Sequence, residues 1–181
     1  MSTDRVRENA STARQDDAWS QHSDAESATA AVLRRCTAEL SAGGILAALK
    51  YLNSRTRFRY TGIYHAEPPM LRNVDLFDRE NPRVNVSGDV KRLDDTYCGI
   101  ICETNAVFST ADALVDTRLS GHAARESVLS YSGAPIRLAS GEVCGSLCHF
   151  DTRPRLLSTQ EMRVLEQIAP LFARCLDDTG V

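Results

Sequence analysis

The hydrophobic pattern of the chain is organised around SYSGAPIRLASGEVCGSLCHFD, residues 130–151. Two apolar runs, 134–138 and 143–150, flank a turn signal at Ser140–Gly141, which is the pattern of a β-hairpin. In the second run Cys144, Ser146, Cys148 and Phe150 take one face of a strand. Val143, Gly145, Leu147 and His149 take the other. Neither face is plainly polar, so this strand is expected to be covered on both sides, inside a sheet. Pro135 has no N–H to give a ladder and belongs at the first residue of its strand or on an edge.

Upstream, residues 57–65 and 70–78 read as another strand pair, joined by a turn at Ala66-Glu67-Pro68-Pro69. Phe58, Tyr60, Gly62 and Tyr64 fall on one face, and Arg57, Arg59, Thr61 and Ile63 on the other. Residues 79–94 are polar and read as a connector. Residues 96–104 are left open between helix and strand, and either puts Cys98 and Cys102 on one face. A short strand starts at Val107–Phe108. A short helix is expected over 121–126, with Ser120 as its N-cap. Its free N–H groups would form a potential anion site, with ordinary capping the plainer alternative.

The helical periodicities lie at the two ends. Ala28, Val32, Leu33, Cys36 and Leu40 form a stripe, interrupted at Gly43–Gly44 and resumed by Ile45, Leu46, Leu49 and Leu52. Two helices, or one bent at the glycines, are expected. The stripe serves either a dimer or the chain's own sheet. Ser158-Thr-Gln-Glu161 is a capping-box sequence. The helix after it carries Met162, Leu165, Ile168, Ala169, Phe172 and Leu176 on one side, with Pro170 expected to open it locally. Residues 1–24 are rich in Ser, Thr, Asp and Arg and are expected to be a mobile tail. Residues 25–181 are expected to form a single domain.

The totals narrow the classes. The chain has 181 residues, 43% of them hydrophobic, enough for one domain with a real core. A net charge of −3 gives no basic stripe for nucleic acid. No apolar run reaches the roughly 18 residues of a membrane span, and residues 1–20 have no apolar core of the kind a signal peptide needs. The cytoplasm is therefore the expected compartment, where the six cysteines are reduced or functional rather than cross-linked. Cys98-x3-Cys102 and Cys144-x3-Cys148, with His122 and His149, raise a metal centre. Both pairs lack a knuckle and lie in regular structure, so buried, inert cysteines are preferred. No Gly-x-Ser-x-Gly elbow or phosphate loop occurs, so no catalytic residue is assigned.

SY-x-G-x-PI, a Gly turn and V-x-G-x-L-CHFD resemble the last hairpin of bacterial GAF domains, small-molecule sensing modules. YLNSRTRFRYTGIY, LRNVDLFDRENP, DTYCGIICET and TADALVDTRLSGH add to the likeness, which covers about residues 45–176. The resemblance implies an α+β fold of GAF/PAS type, a central antiparallel sheet of five or six strands with helices on both faces. The terminal helices would pack on one face, and residues 79–126 would cover a cavity on the other. By position in the resemblance, Tyr97, Cys98, His122, Tyr131 and Cys148 are the ligand-binding candidates. Asp112 is implied to be structural. The implied function is a non-enzymatic sensor of an unidentified small molecule that signals by homodimerisation or through a partner protein. The alternative is a cysteine-dependent reductase of free methionine sulfoxide, using Cys98 and Cys102. In the segment where bilin-binding relatives carry Cys-His this chain has Gly121-His122, which leaves His122 only as a haem ligand. No cofactor is named.

Overall fold

The computed structural model describes residues 4–84 and 87–177, with side chains from Glu26 onward. The expected tail, residues 1–24, lies outside the described side chains, although helix is assigned from Asp4. β1 (Tyr60–Glu67) and β2 (Met70–Asp78) form the opening hairpin around the two prolines. The short β3 (Val90–Arg92) and β4 (Phe108–Thr110) and the long β5 (Ser130–Arg137) and β6 (Val143–Asp151) complete the sheet. The order is β3-β2-β1-β6-β5-β4, with every neighbouring pair antiparallel. β6 is thus an interior strand between β1 and β5, as its two apolar faces require. Pro135 satisfies its constraint at an edge. β4 reaches only from Tyr131 to Gly133, so beyond Gly133 the outer side of β5 has no partner strand.

One face of the sheet is sealed by helices. α1 (Asp4–Ser54) bends at Gly44, where φ is +71°, a conformation that an L side chain resists. Val32 and Cys36 before the bend and Ala48, Leu49 and Leu52 after it join Ile63, Ile136 and Leu147 of the sheet in one core. The stripe on α1 therefore packs on its own domain. α3 (Thr159–Ile168) starts as half of the expected box: Ser158 accepts from the Glu161 N–H at 3.2 Å. The Glu161 carboxylate turns away to Arg55 instead, pinning the end of α1 to the start of α3. At Pro170 the α-helix gives way to a 3₁₀ turn (Ala169–Phe172) before α4 (Ala173–Asp177), because proline removes one helical donor.

The opposite face is covered less completely. A 3₁₀ turn (Leu93–Asp95) leads into α2 (Tyr97–Thr104), so the 96–104 segment is a helix. Thr96 caps it through the Gly99 N–H. A Cβ at Gly99 would lie 2.4 Å from the Leu93 carbonyl oxygen, so only glycine lets the helix start this tightly against the preceding turn. The helix expected over 121–126 is not formed. The structure has a 3₁₀ turn at Thr117–Leu119 instead, followed by turns through Ser127. Asp116, not Ser120, supplies the cap, accepting from the Arg118 N–H at 3.1 Å, and Ser120 ends the turn. No helix N-terminus faces an anion there. Asp112 is structural, accepting from the Leu114 N–H at 3.0 Å.

Candidate functional site

Between the sheet and the α2 side lies a cavity of about 640 Å³. Its floor is built from the four central strands. Tyr60 and Tyr64 rise from β1, Tyr131 from β5, and Cys148 and Phe150 from β6. Leu71, Asn73, Leu76 and Asp78 of β2 also line it, although 73 and 76 differ in parity. A β-bulge explains this. Ile63 pairs with Asp75 and Tyr64 with Asn73, which leaves Val74 without a partner on β1. The extra residue resets the alternation, so Asn73 and Leu76 both face the cavity while Val74 and Phe77 pack on the helix side.

The cover comes from Asp89 and Lys91, from Asp95 to Cys98, and from residues 123–128. Tyr97 stands in the first turn of α2 and crosses to the far loop, donating its hydroxyl to the Val128 carbonyl at 3.2 Å. Its ring meets Tyr131 edge-on at 5.5 Å, and on the floor Tyr60 stacks on Phe150 at 4.7 Å. Burial pushes the Tyr97 hydroxyl up to about 12 and raises those of Tyr64 and Tyr131 well above the ordinary value. These phenols are therefore neutral, weakly polar walls at physiological pH.

The cysteines meet at the α2 end of the floor. Cys98 Sγ lies 3.3 Å from Tyr131 Oη, and the Cys148 thiol donates to the Gly62 carbonyl at 3.8 Å. Cys98 and Cys148 also interact with each other. Of the two, Cys98 has the better supported thiolate, held below its ordinary value by hydrogen bonding from Cys148 and Tyr131, while burial raises Cys148. Cys102, one helical turn on, is pushed up to about 11 by burial, as is Cys36 by burial and then by Glu39. None of the six cysteines is in a disulfide. Among the described residues, no group of three or more His, Cys, Asp or Glu side chains is placed to hold a metal ion.

Four of the five sequence candidates, Tyr97, Cys98, Tyr131 and Cys148, come together at this cavity. His122 does not reach its wall. Its ring packs 4.7 Å from that of Tyr97, and its Nδ1 accepts from the Ala124 N–H at 3.1 Å. His149 is also separated from the thiols. It points to the helix side of β6, where its Nδ1 is 2.7 Å from the Thr61 hydroxyl. Sequence reasoning missed Asn73, Leu76 and Phe150, and its cover, residues 79–126, stopped just short of Ser127 and Val128. Parity along β6 already placed Phe150 with Cys148, a signal that was available. The bulge that exposes Asn73 had no such signal.

No family profile matches the chain. A cyclic di-GMP phosphodiesterase of Pseudomonas aeruginosa is 29% identical over 114 residues, 60% of this chain. The match spans 19% of that enzyme's length, about a fifth. Among solved structures, the GAF domain of an Acinetobacter phosphoenolpyruvate-protein phosphotransferase superposes with a TM-score of 0.64 at 13% identity. That superposition covers 83% of this chain and 94% of the other. A type II free methionine-R-sulfoxide reductase from Thermoplasma acidophilum gives a TM-score of 0.58 at 18% identity, covering 81% and 96%. The chain has the GAF fold, a six-stranded antiparallel sheet between helical layers.

Proposed function

From a GAF fold with an aromatic cavity on one side of its sheet, we propose that this protein is a non-enzymatic sensory module. It binds a small molecule between the floor of β1, β2, β5 and β6 and the α2 cover. The cavity is the observation that carries this reading: concave, mostly apolar and fitted with a few fixed polar groups, as small-molecule sites are. Tyr97, Cys98, Tyr131 and Cys148 contact the ligand, and His122 backs Tyr97. Residues 25–181 make up the sensing unit. It works in the cytoplasm, and its output passes to a second copy or a partner protein as the ligand shifts the population of cover arrangements. Among the described residues, no helix is long and apolar enough to cross a membrane.

The test is native mass spectrometry with a visible absorbance scan on freshly purified protein. A co-purifying small molecule is expected, and Ala124→Trp, which fills the cavity from the cover, is expected to lose it. If a bound molecule persists in A124W, the ligand does not sit in this cavity.

A second reading is favoured by one observation, the meeting of Cys98 and Cys148 at the cavity floor. A reductase of free methionine sulfoxide would release the sulfoxide oxygen as water and leave the two thiols as a disulfide. A dithiol protein reductant would then restore them. The pair is Cys98 with Cys148, rather than the Cys98 with Cys102 expected from spacing. Reductant-coupled turnover that is lost in Cys98→Ala would replace the sensor reading.

A further inference from the structure

Among the described residues, Asn73 is the one side chain lining the cavity whose polar atom is buried without a partner. It is 3% exposed, and among the described residues nothing donates to its Oδ1. Its backbone is held on both sides, its N–H donating to the Asp89 carbonyl and its own carbonyl accepting from the Gly88 N–H, each at 2.8 Å. The bulge at Val74 then fixes the side chain toward the cavity. A carbonyl oxygen held in this way costs stability until a donor reaches it, and native proteins keep few such groups.

The charges around the cavity carry the second half of the argument. Its carboxylates are Asp78, Asp89 and Asp95, and among the described lining residues Lys91 is the one basic side chain. Asp78 is held by Arg59, which stands outside the lining. Lys91 is 64% exposed and already 3.6 Å from Asp89. A phosphate or carboxylate entering the cavity would find no unspent cation and would meet the Asp95 carboxylate at the rim. The remaining walls are mainly aromatic ring faces and thiols. They offer stacking area to a flat ligand and no cation for a negative charge.

Resting on the sensory reading of this cavity, we propose that its ligand is an uncharged planar molecule, an aromatic amide or nitrogen heterocycle. It donates an N–H to Asn73 Oδ1 and lies between Tyr60, Tyr64 and Phe150 below and Tyr97 above. The site rejects the same rings when they carry a phosphate or carboxylate.

Matched pairs test the proposal on the full chain by ligand-observed NMR: nicotinamide against nicotinate, indole-3-acetamide against indole-3-acetate, and guanosine against cyclic GMP. The uncharged member is expected to bind more than tenfold tighter in at least one pair. Asn73→Leu is expected to weaken that binding more than tenfold while raising the unfolding midpoint of the ligand-free protein, because the unpaired oxygen is gone. Asn73→Ser, which shortens the donor-accepting group but keeps it polar, supplies the binding comparison if the leucine variant does not fold. Tighter binding of the acids or of cyclic GMP overturns the proposal and leaves the sensory cavity standing. Unchanged amide binding in the Asn73 variants does the same. Silence from every probe overturns it too, and loss of the co-purifying molecule in A124W then decides separately whether the cavity binds anything.

Discussion

His149 is the most sharply placed titrating group in the fold, and its burial fixes a measurable pH dependence. Asn53 Nδ2 donates to Thr61 Oγ1 at 2.8 Å, which frees the threonine proton for His149 Nδ1 at 2.7 Å and leaves the imidazole neutral. The ring is 3% exposed, tilted against Phe58 at 6.0 Å, and faces the Arg79 charge. Burial first, and Arg79 second, pull its pKa down to about 3 from the ordinary 6.5. Because the folded value is the lower one, the unfolded chain binds the extra proton between those two values. Stability is whole above about pH 6.5 and falls as pH drops toward 3. Integrated from pH 7 to pH 5, this single group removes about 2 kcal/mol. Urea unfolding followed by circular dichroism at half-unit pH steps reads the slope directly. His149→Gln keeps a neutral side chain that can bond Thr61 and cannot charge, so its curve is expected to flatten over this interval. Equal slopes for the two proteins between pH 7 and 5 would refute the burial argument.

Two further predictions concern other parts of the frame. Gly44→Ala places a side chain at φ +71° in α1 and is expected to cost about 1–2 kcal/mol, read as a lowered urea midpoint with unchanged m-value. Arg59 holds the Asp78 carboxyl down to about 2 through a two-point contact at 2.9 and 2.8 Å. Its contribution is present above about pH 4 and is lost as pH falls through 2. Asp78→Asn is expected to remove about 1 kcal/mol at pH 7, since Arg59 is partly exposed and the pair is screened. The difference between D78N and the parent is expected to vanish near pH 2, and a constant difference down to that pH would refute the pairing.

The sheet was legible because period-two patterning survives wherever one strand must satisfy two layers. Leu147 in the helix-side core and Cys148 in the cavity floor are the same signal read twice. The helical ends were legible for the same reason, with Ser158, Gly44 and Pro170 each acting as their local chemistry demands. The cover was not. Residues 121–126 have the composition of a helix start, but Gly121 sits at φ +79° and the turn begins earlier, where Asp116 caps the Arg118 N–H. Tertiary demands there outvote propensity. Four of the five candidates line the cavity because α2, β5 and β6 carry them on regular elements. His122 missed the wall because it stands on that irregular loop. Asn73 was invisible because a bulge adds one residue without changing composition.

The same bulge permits a prediction that separates register from packing. Along β2 the cavity-facing residues are Leu71 and Asn73, then Leu76 and Asp78, with Val74 the unpaired extra between them. Deleting Val74 restores strict alternation and keeps all four residues on their present face. Deleting Leu76 instead sends Phe77 into the cavity and turns Asp78 toward the helices, away from Arg59, since a one-residue slip inverts every side chain beyond it. Val74 is half-buried against the helix-side core, so its loss is expected to cost about 1–2 kcal/mol, part of a full valine burial. The Val74 deletion is therefore expected to fold with a native-like amide NMR spectrum and a modestly lowered urea midpoint. The Leu76 deletion is expected to fail to fold. Comparable damage from the two deletions would mean that the bulge is part of the sheet's register, and the assignment of Asn73 to the cavity through it would fall. If the Val74 deletion folds, Asn73 at the cavity and Asp75 beside Lys50 of α1 become consecutive residues.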